Sequence, residues 1–235
     1  MKNVIPFPKA KTQWFSIKNI ANKSADVYIY DVVGDSWAGN DAVTVVKQIN
    51  ALEVDKINLR INSPGGSVFD GVAIYNALIN HKAVVTTYID GLAASIASVI
   101  ALAGNEIIMA ENAMFMIHDP MSGLMGRASE MRREADLLDQ IKETLINTYE
   151  SRTGLDRENI ATAMTDETWF TAKEALEAKY ITSVSKASLI AACADTTTLS
   201  ALGYTKSPDH LPQEPCKAHA IRRRLTLFGK FHNIQ

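Results

Sequence analysis

The feature that most constrains this chain is an alternation of two hydrophobic periods over its first hundred residues. From Ala25 the run ADVYIYDVV has a period of two and is rich in β-branched and aromatic side chains, the pattern of a strand. The turn residues GDSWAGND follow, and then Ala42, Val45, Val46, Ile49 and Leu52 recur at the spacing of one helix face. KINLRIN predicts a second strand, Val68 to Ile79 a second helix, and Val84 to Ile89 a third strand. The apolar run Gly91 to Gly104 predicts a buried helix, being shorter than the ~20 residues a membrane span requires. Strand and helix in strict alternation demand crossover connections, so the expected class is α/β with a largely parallel sheet covered on both faces.

Beyond residue 104 the pattern changes. Glu106 to Ala110 and Met114 to Ile117 are short strand-like runs. From Ser129 to about Arg152, Met131, Ala135, Leu138, Ile141, Leu145 and Tyr149 line one face of a long helix. At 1.5 Å per residue this helix spans roughly 36 Å, more than a small sheet can cover, and is expected to project and meet another subunit. Asp156 is placed to cap RENIATAM, and Thr171 with Glu174 forms a capping box before ALEAKY. Three regions follow: a basic N-terminal segment 1–25, a domain 26–184, and a linker with a basic tail 185–235.

Composition narrows the partners. With 47% hydrophobic and 21% charged residues the chain can build one ordinary core, and a net charge of −2 gives it no general attraction to nucleic acid or anionic membranes. Ten uncompensated positive charges lie in residues 1–25 and 217–235, so the stretch between them carries −12 and any polyanion contact falls to the ends. The two cysteines, Cys193 and Cys216, form no Cys-x-x-Cys, and no secretory leader is evident, which together point to a reducing cytoplasm. No residue pattern calls for a metal or an organic cofactor.

Chemistry is expected where strands give way to helices. Ser95, in GLAASIAS, falls at a strand-to-helix turn flanked by small residues, and the Ile96 amide at the helix start is placed to stabilise an oxyanion. The other use of this segment is a tightly packed helix start in which Ser95 or Ser98 is a cap. Ser63-Pro64-Gly65-Gly66 comes straight off a strand and exposes backbone N–H groups at a sheet's carboxyl edge, although Pro-Gly-Gly is also an ordinary tight turn. His118 ends the run MFMI, where it can reach a neighbouring strand's exit, whereas His81, His210, His219 and His232 stand in turn or tail sequence. Asp119, Asp166 and Glu167 are candidate orienting acids.

Taken together, Ser-Pro-Gly-Gly, Gly-x-Ala-Ala-Ser, Met-Ile-His-x-Pro and Trp-Phe-Thr-Ala-x-Glu-Ala-Leu in this order resemble the Clp protease proteolytic subunit family, most closely its phage and prophage head-maturation members. The resemblance runs from about Val27 to Val184. It implies the ClpP/crotonase-like fold and a serine endopeptidase with Ser95 as nucleophile, His118 as general base, and the Gly66 and Ile96 amides as oxyanion donors. It further implies that Ser67, Val68, Gly123 and Leu124 line a groove for an extended peptide. The family's triad Asp falls on Thr168, and because Asp166 shares a side with Thr168 in an extended segment, Asp166 is expected to complete the triad. The implied assembly is a hexameric or heptameric ring acting on capsid or scaffold proteins in the host cytoplasm, without a membrane. The alternatives are a subunit served by an AAA+ unfoldase, a scaffold protein that kept the fold without catalysis, and a crotonase-type acyl-thioester enzyme.

Overall fold

Strand β4 (Val84–Ala94) organises the molecule, because its two halves pair with different partners. Along one edge it runs parallel to β3 (Lys56–Ser63). Along the other, Thr86–Ile89 pair with β5 (Glu106–Ala110), and Leu92–Ala94 pair with β6 (Met114–Ile117). The sheet continues outward through β2 (Ser24–Tyr30) to β1 (Phe15–Ile20) on one side and to β8 (Ser183–Ser185) on the other. Strand β7 (Thr168–Thr171) adds antiparallel to β6. The computed structural model describes residues 14–20, 23–34, 42–187 and 196–208. Both cysteines and the basic stretch 217–235 lie outside them.

The expected α/β class is borne out, with eight strands among the described residues, mostly parallel, and helices between them. Helices α1 (Ala42–Asn50), α2 (Val68–Ile79) and α3 (Ile96–Ala101) connect successive strands and bury their apolar residues in one core with Ile57, Leu59, Ile61, Val85 and Ile89. The N-terminal region contributes more than its basic composition suggests, since β1 pairs antiparallel with β2 and buries Trp14 and Phe15. A second difference concerns Gly91 to Gly104. Residues 91–94 continue β4, and α3 starts only at Ile96. Fully buried small residues are compatible with either element, and here the ladder offered by β6 decides for strand.

Helix α4 (Ala128–Thr153) is as long as expected and ends in a left-handed glycine, Gly154. Only Leu145, Ile146 and Tyr149 are buried, all in its C-terminal half. Leu145 and Tyr149, expected to face another subunit, instead pack in their own domain, where the Tyr149 hydroxyl meets Ser98 Oγ at 2.6 Å. The N-terminal half stands clear, with Met131 and Leu137 exposed. Helix α5 (Arg157–Thr165) is capped by Asp156, and α6 (Ala172–Glu177) by the Thr171–Glu174 box, both as expected. Among the described residues no helix is long and apolar enough to cross a membrane.

Closeness between α2 and α3 is set by Gly71, where an added Cβ would lie 2.2 Å from Ile96 Cγ1. Gly71→Ala is therefore expected to displace Ile96 and to destabilise the fold by about 1–3 kcal/mol, the usual cost of overpacking. Urea unfolding should show a lower midpoint at an unchanged slope.

Candidate active site

The carboxyl ends of β2, β3, β4 and β6 converge at one place, and strand register determines which residues arrive there. Ala94 pairs with Met116, and the next residue, Ser95, donates its N–H to the Met116 carbonyl at 3.0 Å. Ser95 thus stands beside the end of β6, just where His118 leaves it. The imidazole Nε2 lies 2.8 Å from Ser95 Oγ. On the other edge Ser63 pairs with Ala93 after a register shift, and this delivers Pro64-Gly65-Gly66 alongside Ser95.

The glycines are required there by space as well as by conformation. Gly65 has φ 94°, and a Cβ on it would lie 2.7 Å from Ser95 Cβ. At Gly66, φ 146°, a Cβ would strike the Val33 carbonyl at 2.2 Å. The loop is tied down by Ser63 Oγ, which donates to Asp31 O at 2.6 Å and accepts from Gly65 N–H at 3.1 Å. Gly66 is bridged to Val33, three residues past β2, by hydrogen bonds from Val33 N–H to the Gly65 carbonyl and from Ser67 N–H to the Val33 carbonyl.

Ser95 itself adopts φ 55° and ψ −130°, a conformation rarely open to a side-chain-bearing residue, and costs of order 1–3 kcal/mol. This sharp turn from β4 into α3 presents Oγ outward and leaves the Ile96 N–H at the first helical position, where no intrahelical acceptor exists. Ser98 is fully buried, with its hydroxyl donating to Ser95 O at 2.5 Å and meeting Tyr149. Of the two serines, Ser95 is the one bonded to His118, and Ser98 is a structural brace. Gly66, Ser95 and His118 keep partial exposure amid buried neighbours, so reactants can reach them.

Burial lowers the His118 pKa below the ordinary imidazole value, opposed first by the charge of Glu167 and then by that of Asp119. Asp166 does not exert this role. Its carboxylate is 64% exposed and pairs with Lys206 Nζ at 3.6 Å. The expectation for Asp166 assumed an extended chain through residues 166–168, but α5 runs to Thr165, Asp166 is its helical C-cap, and Glu167 turns with φ 49° before β7 begins. Alternation has no meaning across that turn. Thr168, paired with Ile117 in the sheet, donates its hydroxyl to Ala163 O at 2.7 Å. Asp119 is engaged by Lys142 at 2.9 Å. Ser67 and Val68 follow Gly66 at the start of α2, and Gly123 and Leu124 lie in the exposed run before α4.

Of the three candidate acids named from sequence, Glu167 is the principal charge acting on His118. The residue missed from sequence is Tyr204, whose ring meets the imidazole edge-on at 4.9 Å. It has no local signal, because its place depends on how residues 196–208 fold back. Among the described residues no cluster of His, Cys, Asp or Glu could hold a metal ion.

A serine hydrogen-bonded to a half-buried histidine beside a glycine loop, at the carboxyl edge of a parallel sheet, defines a serine hydrolase. The Clp protease family model matches residues 9–198, and the chain belongs to that family. It is accordingly a serine-type peptidase. The ATP-dependent Clp protease proteolytic subunit of Chlorella vulgaris is 32% identical over 168 residues, 70% of this chain and 83% of that protein. The subunit of Bdellovibrio bacteriovorus is 37% identical over 142 residues, 57% of this chain and 67% of its own length. Subunit 2 of Tropheryma whipplei is 34% identical, covering 66% of this chain and 87% of that protein.

Because burial depresses the His118 pKa, the imidazole stays neutral, and able to accept a proton, to a lower pH than a free histidine. The acid limb of kcat/KM against pH should therefore have its midpoint below about 6.5. A limb at or above that value would show that His118 is not the titrating base.

Proposed function

We propose that the chain is an endopeptidase in which Ser95 is the nucleophile, His118 the general base, and the Gly66 and Ile96 amides the oxyanion donors. The 2.8 Å contact between Ser95 Oγ and His118 Nε2 carries this reading. As Oγ bonds to a peptide carbonyl carbon, its proton passes to Nε2 and negative charge develops on the carbonyl oxygen, facing the two amides. Collapse breaks the C–N bond, and the leaving amine takes the proton from Nε2. Water then repeats the sequence on the acyl-enzyme, releasing acid and regenerating Ser95. Ser67 with Val68 and Gly123 with Leu124 flank the extended substrate.

Glu167, rather than Asp166, supplies the negative charge that favours the imidazolium. It acts by its field, so its removal costs less than the ~10⁴ in rate lost with a directly bonded triad acid. Its electrostatic effect on His118 supports this.

We place the enzyme among proteases that process capsid or scaffold proteins during assembly, working as a homo-oligomer. The resemblance of the motif order to head-maturation members supports the substrate class, and the exposed apolar Met131 and Leu137 on α4 support the homo-oligomer. The second reading, a subunit dependent on an AAA+ ATPase, is favoured by the relatives' names.

A fluorophosphonate probe should label the wild-type protein and Ser98→Ala, but neither Ser95→Ala nor His118→Ala. Labelling of Ser95→Ala would refute the assignment. Asp166→Asn should leave turnover near normal, and Glu167→Gln should lower it by roughly 10- to 100-fold; the reverse order would return the role to Asp166. Light scattering should give a mass several times that of the chain. Purified enzyme should cut an unfolded capsid or scaffold protein without ATP, and cleavage seen only with an AAA+ partner and ATP would decide for the second reading.

A further inference from the structure

We propose that Tyr204 is a positioning residue of the active site, a strut that ties the general base to the oxyanion loop and is delivered by a segment beyond β8. The inference rests on the Ser95–His118 reading above and deepens it.

The segment begins with α7 (Thr196–Ala201), turns at Gly203 with φ 86°, and brings Tyr204 N–H back to the Leu199 carbonyl at 3.0 Å. Leu199 is fully buried and Tyr204 nearly so. Together they cover Leu92, Ala94 and Met116, with Met114, Trp169 and Leu202 around them, in a cluster separate from the main core. Those sheet residues lie on β4 and β6, the strands that carry Ser95 and lead to His118. Uncovered, their apolar side would face water.

Tyr204 touches three parts of the machinery at once, because its hydroxyl also meets the Ser95 side chain. Its ring meets His118 at a centroid distance of 4.9 Å and an interplanar angle of 87°. Its hydroxyl donates to the carbonyl of Pro64, directly before Gly65-Gly66. A phenol has one proton to give, and here it anchors the loop that presents the Gly66 amide. The next two residues fasten Glu167: Thr205 N–H and Oγ1 reach Oε2 at 2.7 and 2.9 Å, and Lys206 N–H reaches Oε1 at 2.8 Å. Trp169 Nε1 adds a further bond at 3.2 Å. The segment therefore holds the imidazole ring by packing and its favourable charge by hydrogen bonds, in a protein where Thr168 bonds elsewhere.

A tyrosine this close to Ser95 invites comparison with a plug. Gly66, Ser95 and His118 all keep exposed surface with Tyr204 in place, so the ring does not seal the dyad from solvent. The groups facing His118 are Ser95 from the β4–α3 turn, Tyr204, Glu167 from the α5–β7 turn, and Asp119 of its own loop, itself held by Lys142 of α4.

The test is kcat and KM for peptide hydrolysis across pH with the full chain, comparing wild type, Tyr204→Phe, Tyr204→Ala and Ser95→Ala. Tyr204→Phe keeps the ring and releases both Pro64 and the Ser95 side chain, so kcat should fall about tenfold with KM within about twofold and the acid limb in place. Tyr204→Ala should lower kcat by about 100-fold, the scale of a small misplacement of catalytic groups, and raise the midpoint of the acid limb toward an ordinary imidazole as water reaches His118. Faster turnover in either variant would make the segment a lid and overturn the proposal, as would slower turnover in Tyr204→Ala with an unmoved limb. Should Tyr204→Ala fail to fold, Tyr204→Phe decides, and wild-type kcat in that variant refutes the strut. Activity persisting in Ser95→Ala would instead overturn the catalytic reading beneath it, a result that Tyr204 variants alone do not produce.

Discussion

The hydrogen bond from Ser95 N–H to the Met116 carbonyl closes the ladder between β4 and β6 at the one point where both strands end, and the site depends on it. With Ala94 opposite Met116, parallel pairing brings the residue after β4 level with the residues after β6, so serine and histidine meet although 22 residues separate them in the chain. A slip of one position would reverse which face each side chain meets. The neighbouring strands reinforce the same register. β3 delivers the glycine loop against Ser95 only because its pairing shifts between Ile61 and Ser63.

The strained Ser95 needs support, and Ser98 provides it from below. Its hydroxyl reaches both the Ser95 carbonyl and Tyr149, linking the Ser95 turn to α4. The same helix carries Lys142 to Asp119 beside His118. α4 is thus joined to the site at its C-terminal half, while its N-terminal half extends away. This division explains why an apolar stripe drawn along its whole length from sequence overstates what is left for a partner.

Much of the fold was legible because periodicity is local. Strands β2 to β4, helices α1 and α2, the long helix and both caps each follow from a short window of residues. So do Ser95, His118 and the Gly65-Gly66 turn, whose residue types mark a strand end and whose order suggests the family. The rest was hidden for specific reasons. β1 has too little alternation to stand out from a basic segment, and it is stabilised by pairing with β2. Asp166 was favoured on an alternation that a helix cap and a left-handed Glu167 remove. Tyr204 lies in low-charge sequence that reads as linker, and only tertiary packing on Leu92, Ala94 and Met116 reveals its place.

The central claim is that peptide cleavage proceeds through a covalent bond to Ser95 Oγ, with His118 moving the proton. Rapid quenching of a reaction with an activated ester substrate, followed by peptide mapping by mass spectrometry, observes that bond directly. The predicted result is an acyl mass added to the peptide containing Ser95, at close to one per chain early in turnover and absent from His118→Ala. An adduct on another residue, or product formed at full rate with no acylated peptide at any time, would contradict it.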